Sequence, residues 1–183
     1  IHDSGRGHLG QIQGCYSREA DGVIELKING LAVQVEAGTT LLEAARFLGF
    51  PVPTLCHMDG LSPYGACRLC VVEIGSGGSA RLVSSCTYRA QEGLDVRTGS
   101  RRVLRARAMV LELLLATCPQ SKVIQDLASA HHIMQQRFRQ EHEDCILCGL
   151  CVRVCEEQMM ANAIGFRGRA TDRDIGTPFD LTS

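Results

Sequence analysis

The sequence is poor in aromatic residues and has no tryptophan: Phe, Tyr and Trp together make up 4% of 183 residues. Proteins that bind single-stranded nucleic acid rely on aromatic platforms for base stacking, so this composition argues against that function. The formal net charge is −1, from 19 Lys and Arg against 20 Asp and Glu. That balance gives no overall attraction to nucleic acid or to an anionic membrane surface, and the core must be aliphatic.

Long apolar runs are missing as well. The longest, at 113–116, is far shorter than the stretch of about 18 residues that a membrane span requires, so we expect no transmembrane segment. The first residues show neither the basic region nor the apolar region of a secretory signal. The chain begins with Ile1 rather than Met, and we interpret residues 1–21 as an N-terminal extension within a longer gene product.

Cysteine, by contrast, is abundant, with ten residues in the chain. Eight of them fall into two sets of four with tight local spacing. In a chain without a signal peptide, such sets indicate metal or cluster ligation rather than a disulfide framework. We therefore expect a reducing compartment, namely the cytoplasm.

Hydrophobic periodicity predicts an α+β unit in the first half of the chain. Residues 23–36 alternate with period two around Asn29-Gly30, the preferred type I′ turn, which predicts a β-hairpin. A helix follows, capped by Thr39 or Thr40 with Glu43 near its third position. Its predicted buried stripe is Leu41, Leu42, Ala45 and Leu48, and three short strands are predicted at 71–74, 81–84 and 94–96.

The period changes to 3.6 residues over 100–118, which predicts an amphipathic helix stopped by Pro119. A second helix is predicted over 122–131, with Val123, Ile124 and Leu127 on its apolar face and Ser121 as its cap. On the first of these helices we expect the buried face to carry Val103, Leu104, Leu111, Leu114 and Leu115, and the solvent face to carry Arg101, Arg105 and Glu112.

The first cysteine set has the spacing Cys56-x10-Cys67-x2-Cys70-x15-Cys86. Four thiolates complete the coordination of the two irons in a [2Fe–2S] cluster. The alternative is a zinc site with four cysteines, although such sites more often contain two Cys-x2-Cys pairs. His57 could ligate iron only in a Rieske-type centre, which needs two histidines, so we expect it at the surface or supporting the site.

The second set is Cys145-x2-Cys148-x2-Cys151-x3-Cys155, the run that binds [4Fe–4S] clusters in bacterial ferredoxins. In two-cluster proteins the first three cysteines bind one cluster and the fourth binds the other. Zinc has little use for four cysteines within eleven residues.

Three segments around the first set, 53–56, 65–70 and 85–87, resemble the N-terminal [2Fe–2S] domain of a specific group of oxidoreductases. The second set, with 163–166 and 177–180, resembles the same group. It comprises the 75 kDa subunit of NADH:quinone oxidoreductase, the diaphorase-side subunit of bidirectional hydrogenases, [FeFe]-hydrogenases and NAD-linked formate dehydrogenases. The resemblance implies a β-grasp [2Fe–2S] ferredoxin domain, a short helical linker and a bacterial-ferredoxin-like [4Fe–4S] segment.

The sequence departs from these relatives at two points. Many of them bind a further cluster with one His and three Cys between the two sets, whereas this region holds only Cys118, which we interpret as a buried packing thiol. Relatives also carry another Cys-x2-Cys-x2-Cys-x3-Cys run further on. Its last cysteine would complete the cluster on Cys145, Cys148 and Cys151, so the allegiance of Cys155 is open, and a second [4Fe–4S] cluster is expected if the chain continues beyond Ser183.

The expected organisation is an extension (1–21), a plant-type [2Fe–2S] domain (22–98), a helical linker (99–140) and an incomplete [4Fe–4S] domain (141–183). No motif for substrate activation is present, and plant-type [2Fe–2S] clusters have reduction potentials of about −400 mV. We therefore expect a non-catalytic electron-transfer subunit.

Its expected partners are a flavin/NAD(H)-binding iron–sulfur subunit and a catalytic subunit, such as a hydrogenase or formate dehydrogenase. The alternative is the N-terminal electron-transfer arm of a longer catalytic hydrogenase or formate dehydrogenase chain. A basic run around the central helix start is either a solvated face or a docking surface for an acidic partner: Arg97, Arg101, Arg102, Arg105 and Arg107.

Overall fold

A computed structural model describes residues 22–133 and 137–180. The predicted N-terminal extension (1–21) lies outside the described residues. The predicted hairpin is confirmed: β1 (Val23–Ile28) pairs antiparallel with β2 (Leu31–Glu36), with Ile28 opposite Leu31. Asn29 and Gly30 have φ values of 51° and 84°, as a type I′ turn requires at both central positions.

Helix α1 (Leu41–Phe47) begins with the predicted capping box. The Thr40 hydroxyl accepts from the Glu43 amide, and the Glu43 carboxylate accepts from the Thr40 amide. Both bonds satisfy backbone amides that the start of a helix leaves without an intrahelical partner. The helix buries Leu41, Leu42, Ala44 and Ala45 against the sheet residues Leu26, Ile28 and Val96.

The α+β fold class is confirmed by a mixed five-stranded sheet. β3 (Val71–Ile74), β4 (Arg81–Ser84) and β5 (Asp95–Arg97) complete it in the order β2-β1-β5-β3-β4. β1 and β5 run parallel at the centre, and the other pairs are antiparallel. β5 lies one residue later than predicted, because Leu94 contributes only its carbonyl, which accepts from the Lys27 amide at 2.8 Å.

Helix α2 (Arg101–Thr117) packs against β3, and the Ser100 hydroxyl at its N-terminus accepts from the Val103 amide. Two expectations about its faces are wrong. Leu104, predicted to be buried, is 48% exposed, and Glu112, predicted to face solvent, is 5% exposed. The buried stripe instead follows Val103, Arg107 and Leu111 at intervals of four residues, because polar partners on other elements accommodate the charged members.

Helix α3 (Lys122–Ala130) confirms the second predicted helix, one residue shorter at its end. It buries Ile124 and Ala128, whereas Val123 is 58% exposed. Ser121 occupies the cap position, but its side chain makes no capping hydrogen bond.

The C-terminal segment is built around α4 (Leu150–Arg153), which widens into a π-helical turn at Val154–Gln158. A two-stranded antiparallel sheet follows, formed by β6 (Gly165–Arg167) and β7 (Asp174–Gly176). None of the helices within 22–133 and 137–180 is long and apolar enough to cross a membrane.

Candidate metal centres

The four cysteines of the first set come together from separate segments of the sheet domain. Cys56 and Cys67 lie in the loop between α1 and β3, Cys70 directly precedes β3, and Cys86 follows β4. β3 and β4 pair with Val71 opposite Ser84, and this pairing brings Cys86 next to Cys70. The four side chains are between 1% and 8% exposed.

The set is arranged as two pairs of thiols. One side-chain hydrogen bond joins Cys56 to Cys67, and another joins Cys70 to Cys86. Backbone amides also point at the sulfurs: the Cys67 amide donates to Cys56 Sγ at 3.3 Å, and the Leu55 amide donates to Cys67 Sγ at 3.4 Å. Amide donors of this kind stabilise negative charge on sulfur and tune cluster potentials.

Within each pair the two thiols have opposite tendencies to ionise. The hydrogen bond from Cys56 lowers the pKa of Cys67 to about 5, and the hydrogen bond from Cys86 lowers the pKa of Cys70 to about 6. The same bonds, together with burial, raise the pKa of Cys56 and of Cys86 above the usual thiol range. Because thiolates are the species that bind metals, each pair already favours one ligand in its metal-binding form.

This arrangement fits a binuclear cluster. A [2Fe–2S] cluster held by four cysteines offers two coordination positions on each iron, which two neighbouring pairs of buried thiols can fill. Among the described residues, no group of three or more His, Cys, Asp or Glu side chains meets the geometry for holding a metal ion.

The loop that carries the set needs a glycine at one position. Gly65 has a φ of 72°, and a Cβ atom there would lie 3.2 Å from the Thr87 Cγ2 atom. Thr87 directly follows Cys86, so the close approach holds the 65–70 loop against the segment that supplies the fourth thiol. Ser85 secures the same junction, since its amide and hydroxyl both donate to the Cys70 carbonyl, at 3.1 and 2.7 Å.

His57 does not lie at the surface, contrary to one of the two expectations for it. Its side chain is 9% exposed, and its Nε2 lies 3.4 Å from the carboxylate of Asp59. The residue therefore supports the loop next to Cys56.

The second set occupies a loop and the helix that follows it. The Leu147 amide donates to Cys145 Sγ at 3.3 Å, and Gly149 turns the chain into α4 with a φ of 72°. Cys145 and Cys151 are exposed, whereas Cys148 packs against an apolar cluster that contains Cys56, Cys67, Leu69 and Leu111. The two sets therefore meet across a shared apolar contact.

Cys155 differs from the other three. It is 7% exposed, and its Sγ accepts from the Ala163 amide at 3.2 Å. It lies in the π-helical turn Val154–Gln158, whereas Cys145 and Cys151 are exposed. Cys118 is also buried, at 3% exposure, and burial raises the pKa of its thiol. Its burial agrees with the expected packing role.

The chain is similar to known proteins in both sequence and fold. Residues 21–101 match the family described as a 2Fe-2S iron-sulfur cluster binding domain. The chain is 34% identical over 180 residues to a subunit of NADH-quinone oxidoreductase from Rhizobium meliloti, covering 84% of this chain and 21% of the relative. It is 32% identical over 187 residues to NADPH-Fe(3+) oxidoreductase subunit alpha of Geobacter sulfurreducens, covering 86% and 22%.

A solved chain of an NAD+-reducing [NiFe]-hydrogenase in the H2-reduced state superposes with a TM-score of 0.73 at 30% identity, covering 84% of this chain and 74% of that one. The chain belongs to the iron–sulfur subunit family that these oxidoreductases share. This membership confirms the family resemblance that the cysteine motifs predicted. The chain spans about a fifth of the length of the two curated relatives named above.

Sequence reasoning missed a role for Arg107 in this family member. The sequence places it in a basic run at the surface, but it is 4% exposed. Its Nε donates to the Leu69 carbonyl at 3.1 Å and its Nη2 to the Val71 carbonyl at 2.8 Å, so it holds the backbone on both sides of Cys70. Its spacing from Val103 and Leu111 was the available signal.

Two other arginines of the basic run, Arg97 and Arg102, lie next to acidic side chains. Arg102 Nη1 lies 2.7 Å from Glu73 Oε1, and Arg97 Nη2 lies 3.6 Å from Asp95 Oδ2. Arg101 and Arg105 are exposed, and for them the docking interpretation stays a prediction. Arg153, which lies inside the second cysteine run, was not singled out from the sequence, although it is buried against the first set.

Proposed function

We propose that the chain is an electron carrier with two iron–sulfur sites. The observation that carries this proposal is the group of four buried thiols, Cys56 with Cys67 and Cys70 with Cys86. The second cysteine set contacts this group through Cys148. A bound cluster supplies one-electron oxidation and reduction, with a potential that depends on hydrogen bonds to sulfur and on solvent exposure.

In this proposal the [2Fe–2S] cluster is bound by Cys56, Cys67, Cys70 and Cys86. Burial of these side chains and the amides aimed at their sulfurs support the assignment. The domain that holds them, 22–98, is proposed to be a β-grasp ferredoxin, an assignment supported by the parallel central strands and by the helix packed on the sheet.

The segment 141–183 is proposed to hold a [4Fe–4S] cluster on Cys145, Cys148 and Cys151, with residues 99–140 as a helical linker. The different environments of Cys155 and of the two exposed cysteines support assigning Cys155 to another cluster. The fourth ligand of the [4Fe–4S] cluster on Cys145, Cys148 and Cys151 would then come from residues beyond Ser183 or from a partner subunit.

The names of the relatives indicate the reaction in which the carrier takes part. They describe NADH-quinone and NADPH-Fe(3+) oxidoreductases and an NAD+-reducing hydrogenase. We propose that this chain relays single electrons between a flavin/NAD(H)-binding subunit and a catalytic subunit in a cytoplasmic complex.

A second candidate is the N-terminal arm of a longer catalytic hydrogenase or formate dehydrogenase chain. The observation that favours it is the length of the curated relatives, of which the chain covers 21–22%. The complete open reading frame separates the two candidates, because a catalytic chain must contain a further domain with an active site.

The relay is tested by following the visible absorbance of the native protein under anaerobic conditions. We expect dithionite to bleach the oxidised clusters and a one-electron acceptor to restore them, with NADH effective only when the flavin subunit is added. Bleaching by NADH without a flavin protein would contradict the relay. Cys86→Ser should lose the [2Fe–2S] part of the change, whereas the matched Cys118→Ser should keep it.

A further inference from the structure

A single buried arginine connects the two cysteine sets. Arg153 lies in α4 between Cys151 and Cys155 and is 6% exposed. Its Nη2 donates to the Cys56 carbonyl and its Nη1 to the Ser62 carbonyl, both at 2.5 Å. A residue of the second set thereby binds the backbone of a proposed ligand in the first.

The contacts around Arg153 make this junction specific. Its guanidinium carbon lies 5.4 Å from the centroid of the Tyr64 ring, and Tyr64 stacks on Phe166 with 6.0 Å between centroids. Gly149 lies directly beneath this stack: a Cβ atom there would approach Phe166 to 3.0 Å and Tyr64 to 3.2 Å.

Further polar contacts extend the same junction. The Ser62 amide donates to Glu157 Oε2 at 2.7 Å, and Gln158 Nε2 donates to the Gly60 carbonyl at 2.7 Å. The 56–64 loop is thus bound along its length by α4 and by the π-helical turn after it. Any displacement of the second set relative to Cys56 must break several of these contacts together.

The charge of Arg153 is held firmly in this junction. Its two terminal nitrogens, Nη1 and Nη2, donate to carbonyl oxygens of the 56–64 loop. The third nitrogen, Nε, is buried and has no hydrogen-bond partner within the described part of the chain. A guanidinium keeps its charge under all ordinary conditions, and interactions between charges strengthen where water is excluded. A positive charge at the Cys56 backbone favours whichever state of the bound cluster carries more negative charge, which is the reduced state.

We propose that Arg153 is a positioning residue with an electrostatic role: it fixes the second cysteine set against Cys56 and raises the reduction potential of the cluster held by the first set. This inference rests on the proposed function, since it requires a [2Fe–2S] cluster on that set. The contact made by Arg153 would then help to set the difference in reduction potential between the two cluster sites.

Two substitutions separate the charge from the hydrogen bond. Arg153→Gln removes the charge and keeps an N–H donor, whereas Arg153→Lys keeps the charge and loses the planar fork. Arg169→Gln, at an exposed arginine of the same segment, is the matched control. The measurement is an anaerobic redox titration of the [2Fe–2S] EPR signal in the native protein, with iron counted for every variant.

We expect Arg153→Gln to lower the equilibrium constant for reduction about tenfold, which is about 59 mV toward negative potential for a one-electron couple. Arg153→Lys should recover more than half of that shift, and Arg169→Gln should match the wild type. If Arg153→Lys lowered the equilibrium constant for reduction as much as Arg153→Gln does, the electrostatic role would be overturned. So would a wild-type potential in an Arg153→Gln protein that retains its iron.

If Arg153→Gln does not retain iron, Arg153→Lys decides the matter. If the equilibrium constant for reduction of Arg153→Lys lies within threefold of the wild-type value, the proposal is supported. A tenfold decrease in that constant, with the charge still present, overturns it. Failure of the proposed function gives a different result, because wild-type protein would then show no [2Fe–2S] signal to titrate.

Discussion

Replacing Arg107 by methionine should destabilise the sheet domain through the backbone around Cys70. The guanidinium donates to the carbonyls of Leu69 and Val71 at 3.1 and 2.8 Å, and Leu69 is fully buried. Methionine fills most of the apolar volume of the arginine stem, but it leaves both carbonyls without this donor. The perturbation therefore separates the hydrogen bonds from side-chain packing.

The magnitude follows from two opposing contributions. Two hydrogen bonds from a charged donor contribute about 1.5–3 kcal/mol each. Burial lowers the pKa of Arg107 because a buried guanidinium loses hydration. Removing that buried charge therefore offsets part of the loss. We expect a net destabilisation of about 2–4 kcal/mol, or a midpoint lower by about 1–2 M urea.

The assay is anaerobic urea unfolding of the native protein, followed by far-UV circular dichroism and by the visible absorbance of the cluster. Arg105→Met is the matched control, because Arg105 is an exposed arginine on the same helix, and it should change stability by less than about 0.5 kcal/mol. Arg107→Lys should fall between the two. Equal midpoints for Arg107→Met and Arg105→Met would refute the reasoning.

Three further predictions concern other parts of the chain. Gly149→Ala should weaken iron retention at the second set, because its Cβ would meet Phe166 and Tyr64 at a φ of 72°; Gly77→Ala, also at positive φ but in open space, should retain all iron. Hydrogen bonds from Ser100 and then Arg102 lower the pKa of Glu73 below its ordinary 4.5. The ionised carboxylate therefore contributes its full stabilisation of the fold above pH 4.5, and this contribution is lost as the pH falls through the lowered pKa. The thermal midpoint of Glu73→Gln should accordingly lie below wild type at pH 7, and the difference should narrow as the pH falls below 4.5. Cys118→Ala should keep wild-type iron content, since the thiol is buried in packing.

Each of these predictions has a contrary result. Equal iron loss in Gly149→Ala and Gly77→Ala would remove the argument from the Tyr64–Phe166 contact. A difference between Glu73→Gln and wild type that widens toward pH 4 has the wrong sign for a lowered pKa. Iron loss in Cys118→Ala would indicate that the thiol is a ligand.

Local signals in the sequence predicted much of the sheet domain. The Asn29-Gly30 turn and the Thr40–Glu43 capping box depend on neighbouring residues only, and both are confirmed. The bounds of β3 and β4 are also as predicted. Both strands lie in the five-stranded sheet, and β3 is largely buried there.

The faces of α2 could not be predicted in the same way. Periodicity places Glu112 on a face without regard to Arg137, which lies 25 positions later and binds its carboxylate with a shortest contact of 2.6 Å. Arg107 is buried for the same kind of reason, since its acceptors are backbone carbonyls of the cluster loop. Charged residues enter a core when a distant partner satisfies them, and one sequence does not name that partner.

The cysteine spacing selected the residues of both candidate sites, which stays a prediction, and it did not predict how the two sets meet. The pairing of Cys56 with Cys67 and of Cys70 with Cys86 depends on the β3–β4 register and the loop path. The bond from Arg153 to the Cys56 carbonyl spans 97 positions. Such a contact has no local signature beyond an arginine among cysteines.

The central claim is that the two cysteine sets bind two separate clusters, and iron counting by difference tests it most directly. Relative to native wild-type protein, Cys86→Ser should lose about two iron atoms per chain with the [2Fe–2S] EPR signal, and Cys148→Ser about four with the other signal. Loss of zinc in place of iron, or the same loss of iron and signal in both variants, would contradict the account.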